Sequence, residues 1–230
     1  MQLYLRFRID DLSINTDLDR LENDIVVPIR QHCANNLPKI KPHFVFGVSP
    51  AVYEMPKSEG PAVSERIFPA ILNAHSNPAV FYKPQKLGIP DLDHVSKMDE
   101  HVSFCAHGMF HIDHRLISKE AQEINIISSL SLVEHECKTH DLDFIRAFIP
   151  PFNKTNSDTT EIGKDHRVHI VAWDEYRWTH LAYLKDDISV IGRNIQAYYL
   201  ENPLNKGIYL HTHDFPDRHS IQRRIGHIVK

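Results

Sequence analysis

Two adjacent aspartates, Asp10 and Asp11, close an apolar N-terminal run, and two histidines four residues apart, His107 and His111, follow another. One carboxylate and two imidazoles form a donor set suited to zinc or a similar divalent ion. Three protein ligands leave a position open for water, as a hydrolytic site requires. On a helical turn the i, i+4 spacing would put both imidazoles on one face, and Gly108 lets the chain turn sharply off the preceding strand. His114, three residues on, is a competing ligand. Histidine is in excess, 17 in 230 residues, against an even share of about 11–12, so one such pair could arise by chance. The aspartate pair gives it weight.

Other polar or aromatic clusters also follow apolar runs: Pro150-Pro151-Phe152-Asn153, Trp173-Asp174, and His211 with His213. The runs before these clusters read as strands: Leu3–Ile9, His43–Val48, His101–Ala106, Phe144–Ile149, Val168–Ala172 and Gly207–Leu210. Helical spacing appears between them at Asp17–Asn36, Ser118–Glu136, Asp158–Lys164 (with Asp158 and Glu161 as a capping box) and Gly192–Leu200. A basic helix, Ser220–Val229, closes the chain. Alternating β and α units predict a parallel sheet or barrel with its site at the carboxyl ends of the strands. The stretch 49–98 is rich in proline, with one helical pattern at Val63–Ala74, and reads as an inserted loop region draped over an edge.

With 42% hydrophobic and 24% charged residues, the composition is that of a globular protein. The length and the lack of a convincing linker suggest one domain over residues 1–230. A net charge of −4 lacks the basic field of a nucleic-acid binder. No run is long and apolar enough to span a membrane, and the N-terminal run, with two arginines, does not read as a signal peptide. Cys33, Cys105 and Cys137 form no C-x-x-C pair, so reduced thiols in the cytoplasm are expected. Oligomeric state is not legible.

The order of these motifs from Asp10 to His211 resembles the polysaccharide deacetylases, the NodB-homology or carbohydrate esterase family 4 proteins. The resemblance implies an α/β fold, a distorted (β/α)7-type barrel, that removes acetyl groups from sugars with a divalent metal, zinc first among the candidates. Carried over residue by residue, it makes Asp10 the catalytic base and Asp11, His107 and His111 the metal ligands, with Gly108 where Ser or Thr is usual. It makes Phe152 the donor of an oxyanion N–H and His211 the general acid, with the register against His213 open. Trp178 matches a pocket-wall tryptophan, and Asn153 could hydrogen-bond sugar hydroxyls.

Two departures stand out. The arginine that orients the base in the family is Ile149 here, and an aspartate that holds that arginine is Arg177. The reciprocal change suggests that Arg177 supplies the missing cation. The expected function is N-deacetylation of an acetylated carbohydrate, an intracellular precursor of a surface glycan. The alternative is a catalytically degenerate sugar-binding protein on the same barrel. A metal-dependent amidohydrolase is a third reading, but its His-x-His belongs on the first strand, where this chain has Asp10-Asp11.

Overall fold

Residue alternation along the first strand sets up the whole site. The computed structural model describes residues 3–36, 40–52, 86–172, 177–180 and 206–211. Strand β1 runs Leu3–Leu12. Its Phe7 and Ile9 enter the main hydrophobic core, while Arg8 and Asp10, one residue out of phase, join each other on the opposite face. The same split continues in β2 (Ile40–Val48) and β5 (Val102–Ala106). Phe44, Phe46 and Phe104 extend the aromatic row begun by Phe7, with ring centroids 5.7, 6.5 and 6.0 Å apart in turn. Val45 and Cys105 fall instead in a separate small cluster with Ala147 and Ile149.

Short strands β3 (Ala51–Val52) and β4 (Lys86–Leu87) pair antiparallel on their own. Strands β6 (Phe144–Phe148), β7 (His169–Ile170), β8 (Arg177–His180) and β9 (Lys206–His211) complete a seven-stranded sheet, ordered β7-β6-β5-β2-β1-β9-β8. Every pairing in it is parallel. This is the α/β architecture expected from the alternating pattern. Among the described residues the edges β7 and β8 do not pair, so the barrel does not close there.

Helices cover the apolar face. After Asp17, whose carboxylate caps Arg20 N–H at 3.0 Å, come α1 (Leu18–Arg20), a π turn (Leu21–Val26) and α2 (Val27–Asn36). The wide turn ends just before Pro28, where Val27 N–H bonds back to Glu22, and proline brings no N–H of its own to the ladder. Helix α3 (Leu92–Ser96) lies inside the stretch expected to be a loop, yet Leu92, Val95 and Met98 are buried in the main core. The loop expectation therefore fails for residues 92–96: three apolar side chains at helical spacing outweigh the proline content upstream. Helix α4 (Lys119–Thr139) is capped by Ser118, as its sequence suggested. Helix α5 (Ser157–Asp165) starts earlier than expected, because the capping box is Asn156 with Thr159 rather than Asp158 with Glu161. The helices expected at Val63–Ala74, Gly192–Leu200 and Ser220–Val229 lie outside the described residues.

Candidate metal centre and active site

One extra residue in β1 lets neighbouring aspartates do different things. Ile9 pairs with Phe46 and Leu12 with Val48, so three steps on β1 match two on β2. This is a β-bulge, and Asp11 within it has φ of 67°. Asp10 keeps the strand's alternation and is 1% exposed beside Arg8. Asp11 turns instead toward the two histidines. Its Oδ1 lies 3.1 Å from His107 Nε2 and 3.2 Å from His111 Nε2.

His107 leaves the end of β5 with its Nδ1 2.9 Å from the Ile149 carbonyl oxygen. A carbonyl only accepts, so Nδ1 carries the proton and Nε2 is the nitrogen left to face Asp11. A carbonyl behind a ring in this way is the usual device for fixing a metal-binding imidazole. His111 is reached differently from the expectation. The segment between the histidines is not a helical turn but an irregular loop. Helix α4 shapes it through one residue: Asn125 accepts from Phe110 N–H at 2.7 Å, donates to Phe110 O at 3.1 Å, and its backbone carbonyl accepts from Met109 N–H at 3.1 Å.

Gly108 begins that loop with φ of 91°, and a Cβ there would meet Phe110 O at 2.8 Å. A serine or threonine, usual at this place in the resembling family, fits neither the backbone angle nor the space. Gly108→Ser is expected to cost about 1–3 kcal/mol of stability, read from the midpoint of urea unfolding. An unchanged midpoint would show that the loop is not held as described.

Asp11, His107 and His111 bring one ligand atom each within 4.8 Å of one another, the only such group of three or more among the described residues. Ligands at about 2.0–2.1 Å from a tetrahedral ion sit about 3.3–3.4 Å apart, close to the spacing of Asp11 with each ring. The electrostatics agree. Burial pushes the Asp11 carboxyl up, but hydrogen bonds from His107 and His111 outweigh it and hold the group well below the usual carboxylate range. Burial pushes His107 down, but the Asp11 hydrogen bond and the charges of Asp10 and Asp11 raise it overall. One carboxylate oxygen and two imidazole nitrogens thus face one another at ligand spacing. The residues fit a divalent ion.

The Pro-Pro turn stands against this centre. Pro151–Asn153 form one 3-10 turn in which Phe152 and Asn153 both have positive φ, 57° and 55°. Such angles in two consecutive non-glycine residues are strained and recur at functional sites. Asn153 N–H and Lys154 N–H close the turn on Pro150 and Pro151 carbonyls, so the Phe152 amide is not the one that closes it. The Phe152 ring is 53% exposed and meets His111 edge-on at 4.4 Å.

His211 ends β9 in register with Asp10, which places it at the same carboxyl end of the sheet. His213, Trp173 and Asp174 lie outside the described residues. The same register bears on two expectations. Arg177 pairs with Lys206 and Trp178 with Gly207, five and four residues before His211. At about 3.3 Å per residue that sets their backbones roughly 13–17 Å short of the site's level, at the start of β8 rather than its end. The cation seen on Asp10 is Arg8. Asn153 is also redirected: its Oδ1 accepts from Arg8 at 2.7 Å, and that oxygen is not turned to a ligand. Sequence reasoning missed Arg8, although its spacing of two from Asp10 in a strand was the available signal. It also missed Asn125, for which the sequence offers no signal.

His114 is not a ligand. It is fully buried, stacks on Phe148 at 5.1 Å, and its Nε2 meets Asn125 Nδ2 at 3.0 Å. The amide donates, so that nitrogen accepts and the ring is neutral. Burial pushes its pKa down from 6.5 to about 4. Between those values the unfolded chain binds a proton that the folded chain does not. Stability is therefore lost as pH falls through this window, by up to about 3 kcal/mol. His114→Gln keeps an acceptor for Asn125 without the titration. Urea unfolding near neutral pH and near pH 4 should show a smaller drop for the variant, and an equal drop would exclude His114 as the source.

No protein-family model and no curated protein sequence matches the chain. Among solved structures it is similar to a family 4 carbohydrate esterase from Streptomyces lividans (12% identity, TM-score 0.47, covering 98% of this chain and 87% of that one). It is also similar to the Bc1960 peptidoglycan N-acetylglucosamine deacetylase (11% identity, TM-score 0.51, covering 99% and 80%). The fold is that of the family 4 carbohydrate esterases. A pseudoenzyme from Bacillus anthracis, BA3943, is also similar (12% identity, TM-score 0.44, covering 99% and 60%). In this chain Asp11, His107 and His111 stand together where the fold places its strand ends.

Proposed function

We propose that the protein is a metal-dependent hydrolase that removes an N-acetyl group from a sugar. The observation that carries this reading is the convergence of Asp11, His107 and His111 beside a second, buried carboxylate, Asp10. A divalent ion held by those three residues, zinc first among the candidates, supplies a positive charge that acidifies water and polarises a carbonyl. Asp10 takes the proton as water adds to the acetyl carbon. The Phe152 N–H donates to the oxyanion that develops. His211 gives a proton to the departing amine, which cannot leave as an anion. The exposed Phe152 ring offers an apolar face to a sugar.

The same reading places the enzyme in the cytoplasm, on a precursor of a surface glycan. In its support, Cys33, Cys105 and Cys137 are all buried and free, and burial pushes the pKa of each thiol well up from its ordinary value. Such thiols are inert and suit a reducing compartment. No helix among the described residues is long and apolar enough to cross a membrane.

The test is acetate release from a panel of N-acetylated and O-acetylated sugars by zinc-loaded protein. Release from an N-acetylated member, lost on chelation, is the expected result. Binding of sugars without acetate release from any of them would favour a binding protein instead.

A further inference from the structure

Asp10 is buried, and what aims it lies on its own strand. Arg8 Nε is 2.9 Å from Asp10 Oδ1, and one terminal guanidinium nitrogen is 2.5 Å from Oδ2. Both side chains are 1% exposed. The same terminal nitrogen reaches Asn153 Oδ1 at 2.7 Å, and the other lies 3.5 Å from the Val171 carbonyl. One guanidinium thus joins β1, the strained turn that carries Phe152, and the segment after β7. Gly47 lies against the other side of Asp10: a Cβ built on it would sit 3.4 Å from Asp10 Oδ1 and 3.1 Å from Ile149 Cδ1.

We propose that Arg8 is the positioning residue for Asp10, and that Asn153 locks Arg8 so that the base and the oxyanion-side turn are held as one unit. The planar fork of a guanidinium grips both carboxylate oxygens and permits one orientation, which a lysine ammonium cannot enforce. The bond to Asn153 fixes the guanidinium from a second element, 145 residues away in the chain. Phe152 is the residue next to Asn153, so a shift of the turn and a shift of Asp10 are coupled through Arg8. This assignment rests on the reading of Asp10 as the base that deprotonates water.

The test compares Arg8→Lys, Asn153→Ala and the double variant as zinc-loaded proteins. Arg8→Lys retains the charge and is expected to bind zinc as the parent does, since it touches none of the three ligands. Its kcat should fall about 10–100-fold with KM nearly unchanged, the scale of a small misplacement of a reacting group. Asn153→Ala should lower kcat less, and the double variant should be no slower than Arg8→Lys, because both changes act through one contact. Parent kcat in Arg8→Lys, or effects that multiply in the double variant, would overturn the proposal. If Arg8→Lys does not fold, Asn153→Ala alone decides, with parent kcat counting against it.

A second readout does not depend on turnover. In protein labelled with 15N-arginine, the Arg8 Nε–H resonance should exchange slowly with water and should move or vanish in Asp10→Asn. No difference between the two spectra would sink the clamp. Parent protein that releases no acetate from any sugar would remove the deacetylase reading and leave this spectrum to decide the Arg8–Asp10 unit by itself.

Discussion

His107→Ala is expected to strip the protein of its metal. His107 is the most buried of the three candidate ligands and is fixed from behind by the Ile149 carbonyl, so no rotation of a neighbour replaces it. Loss of a residue that merely orients a ligand costs about 10–100-fold in affinity, and loss of a ligand should cost at least as much. Metal content after dialysis against equimolar zinc, by elemental analysis, should fall from near one ion per chain to a trace. Stoichiometric metal in the variant would mean that the ligands lie elsewhere. The pH dependence has a definite sign. Protons on His107 compete with the ion, and the Asp11 partnership raises the pKa of that imidazole. Zinc affinity of the parent should therefore weaken as pH is lowered and strengthen as His107 gives up its proton.

Asp10→Asn should leave the metal in place and remove the chemistry. The amide has nearly the shape of the carboxylate but cannot accept the proton from water. The loss expected for a general base is about 10²–10⁴-fold in kcat, measured as acetate release at saturating substrate. The change also breaks the buried Arg8–Asp10 ion pair, so stability should drop as well, by about 3–5 kcal/mol. Chemical denaturation separates the two effects: the fall in kcat must be seen at temperatures and denaturant levels where the variant is fully folded. A variant that is folded, metal-loaded and as fast as the parent would remove Asp10 from the mechanism.

The sequence made some of this arrangement readable and hid the rest. Asp10-Asp11, His107 and His111 could be picked out because each stands just after an apolar strand, and strand ends converge in a parallel sheet. Their exact grouping depended on features of the backbone. The bulge that separates the roles of Asp10 and Asp11 adds one residue to β1, and nothing in the composition of that strand marks it. Spacing alone suggested that His107 and His111 share a helical face. In the fold, Gly108 breaks the chain direction and Asn125, from a helix fourteen residues beyond His111, rebuilds it. Arg177 was attractive because its change mirrored that at Ile149, but strand register is a three-dimensional property and puts it at the wrong end of β8. Arg8 satisfied a simpler rule, two residues from Asp10 on one face of a strand, and was hidden only because arginine in an apolar run reads as surface.

The loop that carries two of the three candidate metal ligands has no regular structure of its own, and its shape is lent by Asn125, whose neighbours on α4, Ile126 and Leu130, are fully packed into an apolar cluster with Phe148 and Ile162. The centre's geometry is therefore inherited from core packing rather than written into the loop. Affinity for the ion becomes a measure of how well α4 is seated, and a change in the core far from any ligand would be felt there as a change in binding, with every ligand still present.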